Sequence, residues 1–142
     1  MHNSADTALP IRPDPIPSRD SAFFWDGVQR GELLIQQCEQ CRRLWHPPRP
    51  MCPECHSLEW GTVEASGLGT VYSSVIPHHP PLPWFPDPYV VALVDLAEGT
   101  RIVTNIVGIA PDLVTIGMPV RVRFEHFDDG LVLPLFGPEE AQ

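Results

Sequence analysis

The sequence predicts a mainly β protein, in which a short helix and a cysteine-rich ribbon precede a five-stranded barrel. Its four cysteines fall in two Cys-x-x-Cys pairs, and five segments after residue 60 have the apolar patterning of strands. The 18 prolines confine helices to short stretches. We expect a disordered tail over residues 1–17, the helix and ribbon over 18–60, the barrel over 61–137 and a tail over 138–142.

The short helix is predicted to begin at Ser18 or Asp20, either of which can cap its first turn. Residues 23–25 are all aromatic, and Gly31 stands where a left-handed residue commonly ends a helix. Because a free helix would not carry so many aromatic side chains, we expect it to pack on the core or on a partner subunit.

The two cysteine pairs, Cys38/Cys41 and Cys52/Cys55, are separated by only ten residues. A two-residue spacer lets one tight turn direct both sulfur atoms at one point, so two such turns form a tetrahedral thiolate site. Four thiolates favour zinc first and iron second, and a site filled by protein ligands is structural. Residues 32–37 and 44–46 are predicted strands of this ribbon, with residues 44–46 as its middle strand.

Disulfide bonds and a redox-active cysteine pair are the alternatives to a metal. Disulfides need an oxidising compartment, and residues 1–20 hold no apolar run that resembles a signal peptide. A thioredoxin-like pair stands at the start of a helix, and no helix is predicted after either pair. We therefore expect a cytoplasmic protein, and the lack of 18 consecutive apolar residues predicts no membrane span.

Five barrel strands are predicted at residues 68–76, 89–96, 100–107, 120–127 and 131–136. Glu98-Gly99 and residues 128–130 supply the tight turns, and residues 111–117 leave room for one helical turn. Pro134 predicts an edge or bulge position for the last strand. This number and order of strands match the OB-fold, a small Greek-key barrel.

The charge pattern bears on the type of ligand. A net charge of −9 without any lysine argues against a nucleic-acid-binding protein, because phosphate contacts require a basic surface. The local exception is the ribbon, where Arg42, Arg43, His46, Arg49 and His56 cluster. These side chains form either a solvated face that balances the thiolates or a docking point for a phosphorylated small molecule or an acidic partner.

The proline-rich loop at residues 77–88 is unusually long for a connection between two adjacent strands. Its prolines lower the entropy lost on binding, and Leu82, Trp84 and Phe85 offer exposed apolar anchors. We expect the loop to bind a partner or ligand; the alternative is that it folds over one open end of the barrel. Together with the ribbon arginines it would form one groove, cationic for a phosphate and apolar for the rest.

The chain resembles a known family of acyl-CoA-associated proteins that join a rubredoxin-like zinc ribbon to a C-terminal OB-fold. The resemblance covers residues 20–136 and rests on FWDGVQRGEL (24–33), the two cysteine pairs, PPR (47–49), GTVYS (69–73), PYVVALVD (88–95) and GMPVRV (117–122). It implies a companion of thiolase-like enzymes, including aldolases that shorten steroid side chains. Some members carry the module fused to a hydratase domain, and here we expect the partner to be a separate polypeptide.

The function implied by the resemblance is a non-catalytic accessory subunit that binds a thiolase or aldolase and helps bind its acyl-CoA, such as a steroid-CoA. The sequence has no motif of a self-contained active site, so we assign no catalytic residue. A nucleic-acid-binding module is the alternative, because ribbons and OB-folds often hold single strands. The acidic, lysine-free composition favours the first interpretation.

Overall fold

The computed structural model of the protein describes residues 12–85 and 88–139. It confirms a mainly β fold with one short helix, a ribbon and a five-stranded barrel. Of the two predicted tails, residues 1–11 and 140–142 lie outside the described part of the chain. Within the described part, no helix has the length and apolar character needed to cross a lipid bilayer.

Helix α1 (Ala22–Gln29) carries the aromatic cluster. Its N-cap is Ser21, so the prediction of Ser18 or Asp20 as the cap is wrong; the Ser18 hydroxyl instead accepts a bond from the Ser21 backbone N–H at 3.2 Å. Gly31 follows the helix with a φ of 78°, as predicted. Phe24 is buried, which confirms that this face of the helix packs on the core.

The ribbon is a three-stranded antiparallel sheet in the order β2-β1-β3. Its strands are β1 (Leu34–Cys38), β2 (Leu44–Trp45) and β3 (Trp60–Glu64). The prediction that residues 44–46 form the middle strand is wrong, because β1 pairs with both neighbours and β2 lies at the edge. The third strand begins at residue 60, where the sequence only indicated a change of character.

The barrel is closed in the strand order β4-β5-β6-β8-β7. Its strands are β4 (Leu68–Val75), β5 (Val90–Leu96), β6 (Arg101–Ile106), β7 (Pro119–His126) and β8 (Val132–Pro138). The edge position expected for Pro134 is wrong, because β8 lies between β6 and β7. However, β8 meets β6 at a single pair, Ile106 and Phe136, so few ladder bonds are needed near the proline.

The ribbon and the barrel share one hydrophobic core. Phe24 and Val28 of α1 and Ile35 of β1 belong to the same buried cluster as Val90 and Phe136 of the barrel. A second, smaller cluster lies around the cysteines and contains Trp45. The helix and ribbon are therefore held against the barrel wall, and this arrangement forms the groove described below.

Candidate metal centre and ligand groove

The four cysteines meet at one end of the ribbon. Their sulfur atoms all lie within 4.8 Å of one another. The Sγ atoms of Cys38 and Cys55 are 3.5 Å apart, and those of Cys41 and Cys52 are 3.6 Å apart. These separations are too long for disulfide bonds of about 2.05 Å.

The cluster fits a tetrahedral metal ion. Metal–sulfur bonds of about 2.3 Å in a tetrahedron place the sulfur atoms about 3.8 Å apart, close to the two separations observed. Cys38 and Cys52 are fully buried, while Cys41 and Cys55 are exposed. Four thiolates at one point leave no coordination position for a substrate, so the donor set suits a structural ion.

Backbone amides support the sulfur atom of the first cysteine in each pair. The N–H groups of Gln40 and Cys41 point to the Cys38 sulfur at 3.3 and 3.4 Å, and those of Glu54 and Cys55 point to the Cys52 sulfur at 3.3 and 3.5 Å. The Cys41 N–H lowers the pKa of the Cys38 thiol to about 6, against the opposing effect of burial. Such amides favour the thiolate form that a metal requires.

Both cysteine turns adopt the same backbone conformation. Arg42 and His56, the residues after each pair, have φ values of 69° and 67°, in the region that favours glycine. Each donates its backbone N–H to the carbonyl of the first cysteine at 3.0 Å. The turns therefore have the geometry expected of metal-binding knuckles although neither contains glycine.

An apolar cavity of about 660 Å³ lies between the barrel, the helix, the ribbon and the proline-rich loop. We call it the apolar cavity and define it by Trp25 of α1, Trp84 and Phe85 of the loop, and Leu93 and Val103 of the barrel. Its volume is within the range of about 300–1,000 Å³ typical of small-molecule sites.

The floor of the apolar cavity is the outer face of strands β5 and β6. Leu93 lies opposite Val103 and Val91 lies opposite Asn105 in the sheet register. Val103 is 67% exposed, because this face of the strand opens into the cavity. The nearly continuous apolar run of β5 therefore reflects two apolar faces, one toward the barrel core and one toward the cavity.

A second cavity of about 650 Å³ adjoins the first and is cationic in character. We call it the cationic cavity and define it by Arg43 and Arg49 of the ribbon and Thr100 and Arg101 of the barrel. Arg43 forms an ion pair with Glu54 at 2.9 Å, and Arg101 pairs with Asp95 and lies over the Tyr72 ring at 3.6 Å.

His46 and Arg101 line both cavities, so the cavities adjoin, and we call the two together the groove. Burial lowers the pKa of His46 to about 4, so its imidazole is neutral near pH 7. A neutral ring therefore separates the apolar part of the groove from the charged part.

The structure places the residues singled out in the sequence as follows. Arg43 and Arg49 line the cationic cavity, and Trp84 and Phe85 line the apolar cavity. The loop side chains expected to be exposed anchors, Leu82, Trp84 and Phe85, are half-buried. Leu82 lies outside the cavity lining but accepts the backbone N–H of Phe85 at 3.1 Å, whereas Arg42 lines neither cavity.

The sequence did not single out Arg12, Trp25 or Arg101 as binding residues, although each of them lines the apolar cavity. Arg12 stands in a proline-rich segment without periodicity, so no local pattern marks it. For the floor, the apolar run of β5 was a usable signal, because a strand covered on both faces reads as continuously apolar. It did not reveal which elements cover the outer face.

Two family descriptions match consecutive parts of the chain. Residues 25–61 match the ChsH2 rubredoxin-like zinc ribbon domain, and residues 62–125 match the ChsH2 C-terminal OB-fold domain. The boundary between the two matches falls within strand β3. The ribbon and barrel seen in the structure therefore correspond to two recognised domains.

Two relatives are hydratase subunits. A probable enoyl-CoA hydratase alpha subunit of Thermomonospora curvata is 53% identical over 132 residues, which is 93% of this chain and 41% of the relative. The 3-oxo-4,17-pregnadiene-20-carboxyl-CoA hydratase alpha subunit of Mycobacterium tuberculosis is 45% identical over 115 residues, 81% of this chain and 37% of the relative. The chain thus spans less than half the length of these two proteins.

Other similar proteins have the same size as the chain. A DUF35 domain-containing scaffold protein of Methanocaldococcus jannaschii is 36% identical over 115 residues, 76% of this chain and 82% of the relative. A chain of the solved Ltp2-ChsH2(DUF35) aldolase is 54% identical with a TM-score of 0.83, covering 87% of this chain and 98% of that one. With its ChsH2-type zinc ribbon and OB-fold, the chain belongs to the DUF35 family.

Proposed function

We propose that the chain is a non-catalytic subunit that associates with a thiolase-like aldolase of the Ltp2 type and supplies part of the binding site for its acyl-CoA substrate. The observation that carries the proposal is the pair of adjoining cavities, one lined by arginines and one apolar along the barrel wall. A similar chain is part of the Ltp2-ChsH2(DUF35) aldolase. The hydratase relative named for a steroid-CoA suggests steroid-CoA thioesters as substrates.

The cationic cavity suits the phosphates of coenzyme A. Arginine binds phosphate oxygens through its planar fork of N–H donors, and the cavity gathers Arg43, Arg49 and Arg101 in a protein of net charge −9.

The groove itself offers little for catalysis. Among the described residues, the titratable side chains that line it are His46, Asp95 and four arginines. Asp95 is paired with Arg101, and the low pKa of His46 makes it a weak base. Among the described lining residues, neither threonine hydroxyl is hydrogen-bonded to His46 or Asp95, so we assign bond making and breaking to the partner enzyme.

We also propose that Cys38, Cys41, Cys52 and Cys55 hold one structural zinc ion. The sulfur separations and the match to a rubredoxin-like zinc ribbon support this assignment. Iron is the second choice for four thiolates. Reduced thiols suit the cytoplasm, which we propose as the location.

Replacing Arg49 with Gln should weaken the binding of coenzyme A. A charge-assisted hydrogen bond contributes about 1.5–3 kcal/mol, so we expect roughly a tenfold or larger loss of affinity. Arg42→Gln is the matched control, because this arginine belongs to the same ribbon and lines neither cavity. Isothermal titration calorimetry should show weakening for Arg49→Gln alone, and equal weakening by both substitutions would contradict the cationic cavity as the phosphate site.

Replacing Trp84 and Phe85 together with Ala should weaken both acyl-CoA binding and copurification with the aldolase, because both side chains form a wall of the apolar cavity. The metal content should not change, since the loop does not contact the cysteines. Leu113→Ala with Ile116→Ala is the control pair, as both are exposed on another loop. Unchanged binding in the Trp84/Phe85 variant would remove the loop from the binding site.

A further inference from the structure

The apolar cavity contains a second cation, Arg12, at the end farthest from the ribbon arginines. Its Nη1 atom donates to the Oδ1 atom of Asn105 at 3.4 Å. Asn105 and Arg101 are both on β6, and four residues of a strand span about 13 Å. Arg101 marks the cationic end of the groove, so Arg12 marks the other end of an apolar floor of that length.

Arg12 is held in a fixed position by aromatic rings. Its guanidinium lies 4.5 Å from the centre of the Phe85 ring and 4.8 Å from that of Phe127. The other side of Phe85 stacks on Tyr89 with 4.2 Å between centroids and 9° between the ring planes. The Arg12 guanidinium is therefore packed between ordered side chains, which restricts its movement.

The Arg12 acceptor is fixed as well. The side-chain amide of Asn105 donates to the carbonyl of Val90 at 2.8 Å, which orients its oxygen toward Arg12. A guanidinium has five N–H donors, and the bond to Asn105 uses one of them. Among the described residues the Arg12 guanidinium forms no other hydrogen bond, and since it lines the apolar cavity it can donate to an oxygen atom of a ligand there.

The pantetheine arm of coenzyme A has the length and chemistry of this floor. From its phosphate oxygen to its sulfur it has about as many main-chain atoms as four peptide residues, which span about 13–14 Å when extended, and the carbonyl nearest the sulfur lies about 10 Å along it, within reach of a long arginine side chain at the end of the floor. The arm is apolar apart from a hydroxyl and two amides, and the second amide lies near the sulfur.

We propose that the groove binds the extended pantetheine arm along β6, with Arg12 donating a hydrogen bond to the amide carbonyl nearest the sulfur. This inference rests on the proposed function and makes Arg12 a residue that recognises the carrier arm. The acyl group then leaves the groove beyond Arg12. Its selection is left to the partner enzyme, and this chain accepts thioesters of different acyl groups alike.

The test compares two probes, coenzyme A and 3′,5′-ADP, which has the nucleotide phosphates without the arm. Arg12→Met removes the donors but keeps a long side chain that packs on aromatic rings. We expect this substitution to lower the affinity for coenzyme A roughly tenfold to a hundredfold, as for the loss of a hydrogen bond to a charged group. The affinity for 3′,5′-ADP should not change. Arg49→Gln should lower the affinity for both probes. An unchanged affinity of Arg12→Met for coenzyme A would overturn the inference.

A coenzyme A analogue separates recognition from a structural effect of Arg12 on the loop. In this analogue a trans-alkene replaces the amide nearest the sulfur, which removes the carbonyl and keeps the shape. The wild type should bind it about as weakly as Arg12→Met binds coenzyme A, and Arg12→Met should bind both ligands equally. Equal losses for both ligands on mutation would assign Arg12 a structural role only. Failure of the wild type to bind either coenzyme A or 3′,5′-ADP would instead contradict the proposed function.

Discussion

Replacing Cys38 with Ser should release the metal and unfold the ribbon. Cys38 is fully buried and ends strand β1, and the small cluster around the cysteines contains only Cys52, Trp45 and Trp60 besides it. So small a cluster gives the cysteine end of the ribbon little apolar support, whereas structural zinc sites contribute apparent free energies of about 10–16 kcal/mol. Elemental analysis should find one zinc ion per wild-type chain and far less in the variant.

The effect should extend beyond the ribbon. Ile35 of β1 and Leu33, which precedes this strand, belong to the main core cluster. Loss of the ribbon therefore also removes apolar contacts from the barrel. We expect tryptophan fluorescence to report a cooperative loss of structure at a lower temperature than in the wild type. Met51→Ser, an exposed change in the same loop as Cys52, serves as the control. A Cys38→Ser protein that keeps full metal content and the wild-type melting temperature would rule out the four-cysteine site.

Replacing Phe136 with Ala should destabilise the barrel by about 3–5 kcal/mol, the usual range for truncating a buried aromatic residue. Phe136 is completely buried, and it pairs with Val122 of β7 and Ile106 of β6. It therefore lies at the point where the barrel closes. Because a domain of this size is stable by only about 5–15 kcal/mol, the change removes a large fraction of the total, and urea titration of the zinc-loaded protein measures it.

Ile116→Ala is the control for the core substitution. Ile116 is 74% exposed, and surface substitutions of this kind change stability by less than about 0.5 kcal/mol. A loss below about 1 kcal/mol in Phe136→Ala would show that the closure between β6 and β8 carries little of the stability.

The sequence predicts the fold well because its signals are local. The spacing within each cysteine pair determines a turn, and the alternation of Val120, Val122 and Phe124 with polar residues determines which face of β7 is buried. The same local rules failed where long-range pairing decides the outcome. The chain order of the ribbon strands does not reveal that β1, the first of them, becomes the central strand.

The groove depends on long-range contacts to a greater extent than the individual strands and turns do. Arg49 and Trp84 could be selected as binding residues by their type and loop context, but their proximity follows from how the ribbon packs on the barrel. Arg12 is 93 positions away from Asn105 in the chain, and no periodicity connects them. Such a contact becomes visible only when the strands are placed in space.

We propose that this chain completes an acyl-CoA site for an enzyme that carries out the chemistry. The most direct test is the rate of cleavage of a steroid-CoA aldol substrate by an Ltp2-type aldolase alone, by this chain alone and by the two together. We predict turnover only when both proteins are present. Turnover by the isolated chain, or an aldolase that is equally fast without it, would contradict this account.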